Sequence, residues 1–98
     1  QTDGKTILDG VGNFLKAYPD HKVAVRGHTD STGSQALNQA LSEKRAQKVR
    51  EYLVAYQDIH PTRVTAQGFG PSQPEATNAT EAGRALNRRV EVAIQTGE

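Results

Sequence analysis

Between Gly27 and Tyr56 the chain reads GHTDSTGSQALNQALSEKRAQKVREYLVAY, a polar turn running into a long helical pattern. Asp30, Ser31, Thr32, Gly33 and Ser34 carry turn chemistry, and from about Gln35 the apolar residues recur with a helical period. At ~100° per residue, with Leu37 at zero, one arc holds Leu37, Leu41, Tyr52, Tyr56, Val49, Leu53 and Ala46. The opposite arc holds Gln39, Glu43, Gln47, Arg50 and Glu51. Three polar residues, Asn38, Ser42 and Arg45, break the pattern by projecting into the middle of the apolar arc. A guanidinium turned inward is costly unless it is paired. An acid is therefore expected to meet Arg45, and Asp30, in the turn that leads into this helix, is the candidate.

Upstream, Ile7, Leu8, Val11, Phe14 and Leu15 lie on one face of a first helix, which Thr2 or Asp3 can cap and which Pro19 stops near Tyr18. Val23, Val25 and Gly27 then alternate with Lys22, Arg26 and His28, the pattern of a half-buried strand with His28 on its wet face. Downstream, Val64 and Ala66 alternate with Thr65 and Gln67 in a short strand after Pro61, and a loop runs from Phe69 to Asn78. Thr80 and Glu81 open a short helix ending near Leu86. In the last strand Val90, Val92 and Ile94 alternate with Arg89, Glu91 and Ala93, and the same parity puts Arg88 on the apolar side at the strand's entrance. This order predicts a single α+β domain over residues 1–98, a two-layer sandwich with helices on one face of a mixed β-sheet. The first two strands should be parallel, whether adjacent or separated by another strand, and Arg88 could reach the Asp30 region if the last strand runs antiparallel beside the first.

Composition narrows the function. With 12 Lys plus Arg against 11 Asp plus Glu there is no basic field to hold a phosphate backbone, so nucleic acid is not an expected partner. No apolar run approaches the ~18 residues of a membrane helix, so this segment is not expected to insert in a membrane by itself. The absence of Cys removes thiolate nucleophiles and Cys-ligated metals.

The clusters that could carry chemistry are few. A protease-like reading of Asp30 to Gly33 needs a second carboxylate to share a proton, and none is visible. His28 and Asp30, with His21 and His60 elsewhere, do not make a metal set, and no acid is placed to orient His28 toward Ser31. Gly68, Gly70 and Pro71 lack the spacing and Lys of a phosphate loop. No catalytic residue, metal or cofactor is expected. What remains is a carboxylate, Asp30, sharing a cleft with Arg45, Arg88 and the Asn38 amide, either as a buried structural pair or as a ligand site.

Gly27, His28, Thr29, Asp30 and Gly33, then Leu37, Asn38, Leu41, Ser42, Arg45, Ala46 and Val49, and later Gly68, Pro74, Asn78, Thr80, Gly83, Arg84, Asn87, Arg88, Arg89 and Val90 resemble the OmpA-like C-terminal domain. The likeness spans about four fifths of the chain and joins a turn motif, a helical motif and a strand-entry motif. It implies non-covalent binding of peptidoglycan in the periplasm of Gram-negative bacteria, by a domain attached to the outer or inner membrane through another part of the protein. Carried over by position, Asp30 and Arg45 match the pair that holds the diaminopimelate of the stem peptide. Asn38 and Arg88 match supporting polar residues, and Thr29 belongs to the same turn motif.

Members of that family begin with a strand before the first helix, whereas this sequence starts at the helix entrance. The first strand is therefore expected to be missing, which would leave a sheet edge open to pairing into a homodimer. Two other functions compete with a cell-wall binding module. One is a structural assembly domain in which the Asp-Arg pair specifies the fold. The other is a peptidoglycan hydrolase, for which only His28 offers an acid or base.

Overall fold

The structure, a computed structural model, describes the backbone of residues 2–96 and the side chains of residues 6–96. Its elements follow the expected order: α1 (Thr2–Ala17), β1 (Lys22–Gly27), α2 (Gln35–Ala55), a 3-10 turn (Pro61–Arg63), β2 (Val64–Gly68), α3 (Glu81–Asn87) and β3 (Val90–Gln95). The sheet order is β2-β1-β3, with β1 parallel to β2 and antiparallel to β3. Leu15, Val23, Val25, Ala46, Leu53, Ile59 and Val64 form the core between α1, α2 and one face of the sheet. The expected cap at Thr2 or Asp3 falls outside the described side chains.

Helix α1 stops where Pro19 and Asp20 dictate, and Arg63 finishes it by donating to the carbonyls of Leu15, Tyr18 and His21 at 2.7–2.9 Å. Carbonyls in the last turn of a helix lack intrahelical partners, and Arg63 supplies one to Leu15 O. Of the apolar face predicted for α1, Leu15 is fully buried, whereas Ile7 is 63% exposed. Ile7 and Leu8 line a shallow apolar groove with Val49, Val90 and Val92, beside the outer edge of β3. That edge has no partner strand among the described residues.

The rotation of α2 about its axis corrects the predicted arc. Its buried residues are Asn38, Ser42, Ala46 and Leu53, while Leu37 is 72% and Tyr56 76% exposed. The cause is a contact that side-chain hydrophobicity does not encode. Gly27 and Gly68 are register partners at the ends of β1 and β2, and α2 lies directly on them. A Cβ on Gly27 would overlap the Ser42 carbonyl, and one on Gly68 would overlap the Glu43 backbone nitrogen. The Ser42 hydroxyl is fully buried there, donating to Gln39 O at 2.8 Å and accepting from the Gly70 N–H at 2.9 Å. Polar residues thus face the sheet along the first half of α2, and apolar ones along the second.

Two glycine substitutions test this. Gly27→Ala should destabilise the fold by at least the ~1–3 kcal/mol typical of overpacking, because a backbone carbonyl cannot swing aside. Gly10→Ala, in a helical position with open space around it, should instead stabilise by ~0.5–1 kcal/mol through helix propensity. Urea midpoints of the two variants should move in opposite directions, and a neutral Gly27→Ala would contradict the close contact.

Candidate functional site

The parallel strands β1 and β2 end side by side, and β3 begins at the same end of the sheet. The β1 strand leaves this end into His28, Thr29 and Asp30, all buried. The Thr29 N–H donates to Gly70 O at 2.9 Å, and its hydroxyl donates to the Asp30 carbonyl at 2.9 Å. Asn38, one turn into α2, donates to Thr32 O at 2.8 Å and Asp30 O at 3.4 Å, tying the turn to the helix it precedes. Ser34 caps α2 by accepting from the Leu37 N–H. The loop that presents Asp30 is therefore fixed from three directions.

The Asp30 carboxylate accepts the Thr32 N–H on Oδ1 at 2.8 Å and Arg88 Nη1 on Oδ2 at 2.7 Å. These bonds, the backbone N–H of Thr32 first and Arg88 second, hold its carboxyl below the ordinary value of 3.8 against the opposing effect of burial. Two bonds leave acceptor capacity on a group with about four lone-pair positions.

Arg88 itself enters differently from the strand-parity expectation. It is the C-cap of α3, two residues before β3, so helix geometry rather than strand alternation aims its side chain. Its second terminal nitrogen, Nη2, donates to Glu81 Oε2 at 2.7 Å. Glu81, the first residue of α3, was not singled out as a site residue from the sequence. A signal existed, since Glu81 and Arg88 lie seven residues apart, two turns along one side of a short helix.

The expected partnership between Asp30 and Arg45 is not formed. Asp30 is bonded to Arg88 and Thr32, and the half-buried Arg45 makes no hydrogen bond or ion pair among the described residues. Arg45 shares its stripe of α2 with Asn38, two turns or ~10 Å further along the axis. The Cα–Cβ bonds of a helix tilt toward its N-terminus, which in α2 is the Asp30 end. The result is one anchored carboxylate with spare acceptors and one guanidinium with spare donors.

The residues at the end of α3 and just after it brace the surroundings. Asn87 is fully buried, and its amide accepts the N–H groups of Glu75 and Ala76 and donates to Ala76 O and Asn78 Oδ1, all within 2.9 Å. Asn78 Oδ1 also accepts the Ser31 N–H at 3.3 Å, which couples this loop to the Asp30 turn. Arg89 reaches Glu75, Glu91 and Gln73 O.

His28 corrects the wet-face expectation. Its parity does turn it away from the helices, but the ring is fully buried, stacked on Phe69 with centroids 5.6 Å apart, and its Nε2 lies 3.1 Å from Glu91 Oε1. The loop after β2 folds over this end of the sheet, which no alternation within β1 could signal. Among the described residues no three or more His, Asp and Glu side chains come together in a way that could hold a metal ion.

Comparison with known proteins bears on this arrangement. The OmpA family pattern matches residues 1–88. The chain is 51% identical over 88 residues to outer membrane porin F of Pseudomonas fluorescens, covering 90% of this chain and 27% of that protein. It is 46% identical over 88 residues to the peptidoglycan-binding protein ArfA of Mycobacterium bovis, again covering 90% of this chain and 27% of the relative. The peptidoglycan-associated lipoprotein of Burkholderia pseudomallei superposes with a TM-score of 0.91 at 30% identity, over 97% of this chain and 80% of that structure. The chain thus spans about a quarter of the length of these two curated relatives.

The lowered Asp30 pKa has a signed consequence. A carboxyl whose folded pKa lies below its unfolded value of 3.8 adds stability that is complete above that value and is lost as pH falls through the folded pKa. Asp30→Asn should therefore flatten the acid limb of the stability curve below about pH 4 while lowering stability at pH 7. Urea denaturation across that range checks it, and an unchanged acid slope would contradict the bonding described for Asp30.

Proposed function

The chain belongs to the OmpA family, and on that premise we propose that it binds peptidoglycan non-covalently through the diaminopimelate of the stem peptide and so ties an envelope protein to the cell wall. The observation that carries the proposal is the asymmetry of the two charges: Asp30 is anchored yet keeps acceptor capacity, and Arg45 has no partner among the described residues. The free end of diaminopimelate is an amino-acid zwitterion. Its ammonium needs a carboxylate, which Asp30 supplies, and its carboxylate needs a planar fork of donors, which Arg45 supplies. Arg88 keeps Asp30 ionised and oriented. Asn38 and Thr29 hold the turn that presents it.

The relatives support the partner class, since one is a peptidoglycan-binding protein and another a peptidoglycan-associated lipoprotein. A site of this kind works in the periplasm, with the membrane attachment supplied elsewhere in the protein. Binding rather than hydrolysis is the proposed activity: His28 is buried against Phe69 and engaged with Glu91, so it is not free to act as an acid or base on a bound glycan. The free β3 edge also offers a route for two copies to pair, which light scattering would register as a dimer.

Calorimetry with defined stem peptides tests the proposal. A lysine-type peptide carries an ammonium without the neighbouring carboxylate, so it leaves Arg45 unsatisfied and should bind far more weakly than the diaminopimelate type. Truncating Asp30 or Arg45 to Ala should cost ~2–5 kcal/mol of binding, because the other charge loses its mate. Arg45→Lys keeps the charge but removes the fork, so affinity should fall with little change in folding. Equal binding of both peptide types, or an Arg45→Lys variant that binds like the wild type, would overturn the role given to Arg45. Incubation with whole sacculi should retain the protein and release no soluble fragments.

A further inference from the structure

The guanidinium of Arg88 is divided between two carboxylates, Nη1 on Asp30 Oδ2 and Nη2 on Glu81 Oε2, each at 2.7 Å. This split is unusual in its consequence. An arginine facing a single carboxylate favours a bidentate clasp, with two parallel N–H donors on both oxygens. On Asp30 such a clasp would engage Oδ1 as well as Oδ2, and Oδ1 already accepts the Thr32 N–H. Most of the carboxylate's lone-pair positions would then be filled from within the protein.

We infer that Glu81 is a positioning residue of the binding site, holding Arg88 Nη2 so that the guanidinium stays monodentate on Asp30 and leaves that carboxylate able to accept a ligand ammonium. The inference rests on the binding proposed above. Helix α3 sets the spacing: Glu81 opens it after the Thr80 cap, and Arg88 closes it with its N–H on Arg84 O. Glu81 is itself oriented from its other oxygen, which Arg84 Nε approaches at 3.3 Å while Arg84 Nη1 is anchored on Asn78 O. The Glu81 side chain is 67% exposed, so as a surface ion pair it would add little to stability. Its effect falls on the site. The Arg88 guanidinium also holds the Glu81 carboxyl below its ordinary value, so Glu81 is ionised wherever Asp30 has a ligand to bind.

The test is titration calorimetry of a stem tripeptide ending in meso-diaminopimelate into the wild-type chain, Glu81→Gln and Glu81→Asp, with a thermal midpoint for each. The Gln side chain keeps the shape but loses the charge that competes for Arg88, and the Asp side chain keeps the charge but is one methylene too short to reach. Both should bind about tenfold more weakly, the scale of one charge-assisted hydrogen bond. Their thermal midpoints should equal or exceed that of the wild type, since the released Arg88 clasps Asp30 more fully. A wild type that does not bind the tripeptide overturns the functional reading and this inference with it. A wild type that binds and a Glu81→Gln that binds equally well overturns the role of Glu81 alone. Wild-type affinity in Glu81→Asp would mean that charge, not position, is what matters, and a fall in midpoint parallel to the fall in affinity would mean a structural role; either result overturns the inference.

Discussion

At Ser42 helix α2 rests on the backbone of Gly27 and Gly68 with no side chain between them. Backbone contact of this kind tolerates little sliding or rotation, because interiors are close-packed and any Cβ at either glycine would meet main-chain atoms. It fixes which residues of α2 face the sheet. The stripe Asn38, Ser42, Ala46 and Leu53 faces inward, and Leu37 is turned out. Because the glycines sit at the ends of β1 and β2, the first half of α2 lies over the exit of the sheet rather than over its apolar face. Polar side chains there meet loop carbonyls and N–H groups, not hydrocarbon.

The site is a consequence of that placement. Asn38 and the Ser34 cap bind the turn that carries Asp30, and α3 delivers Arg88 from the opposite side. Each group that approaches the Asp30 carboxylate is a hydrogen-bond donor, so the acid stays ionised although it is only 7% exposed. Burial alone would push the other way. Arg45, on the same stripe as Asn38, brings a positive charge that the described residues do not neutralise. Asp30 and Arg45 thus carry opposite charges, one on the turn and one on the helix into which that turn leads.

Much of this was legible in the sequence for identifiable reasons. Strand alternation located two strands, with Val23 and Val25 buried as expected, whereas Val90 and Val92 are only partly buried and Ile94 is 42% exposed, and the breaks at Pro19 and Gly33 bounded the first two helices. The polar triplet of α2 was visible as a violation of helical periodicity, and two of its members, Asn38 and Ser42, are buried while Arg45 is half-buried. What was not legible came from contacts between distant segments. The arc of α2 was misplaced because the Gly27 and Gly68 contact, not hydrophobicity, sets its rotation. His28 reads as exposed from its own strand but is covered by Phe69, 41 residues away in number and 5.6 Å away in space. The partner of Asp30 proved to be Arg88, which strand parity had placed in the same cleft, rather than Arg45, although Arg88 arrives there from a helix end and not from a strand start.

The account stands on Asp30 and Arg45 acting together on one ligand. Its most direct measurement is a nuclear magnetic resonance titration of the chain with a diaminopimelate stem tripeptide, following the Asp30 carboxyl carbon and the Arg45 Nε–H in the same sample. The Glu91 carboxyl, bonded to Arg89 and His28, serves as an internal control. Both site resonances should move and saturate at one ligand concentration while Glu91 stays unmoved. If Asp30 responds and Arg45 does not, or if the two saturate at different concentrations, they do not share a ligand and the account is wrong.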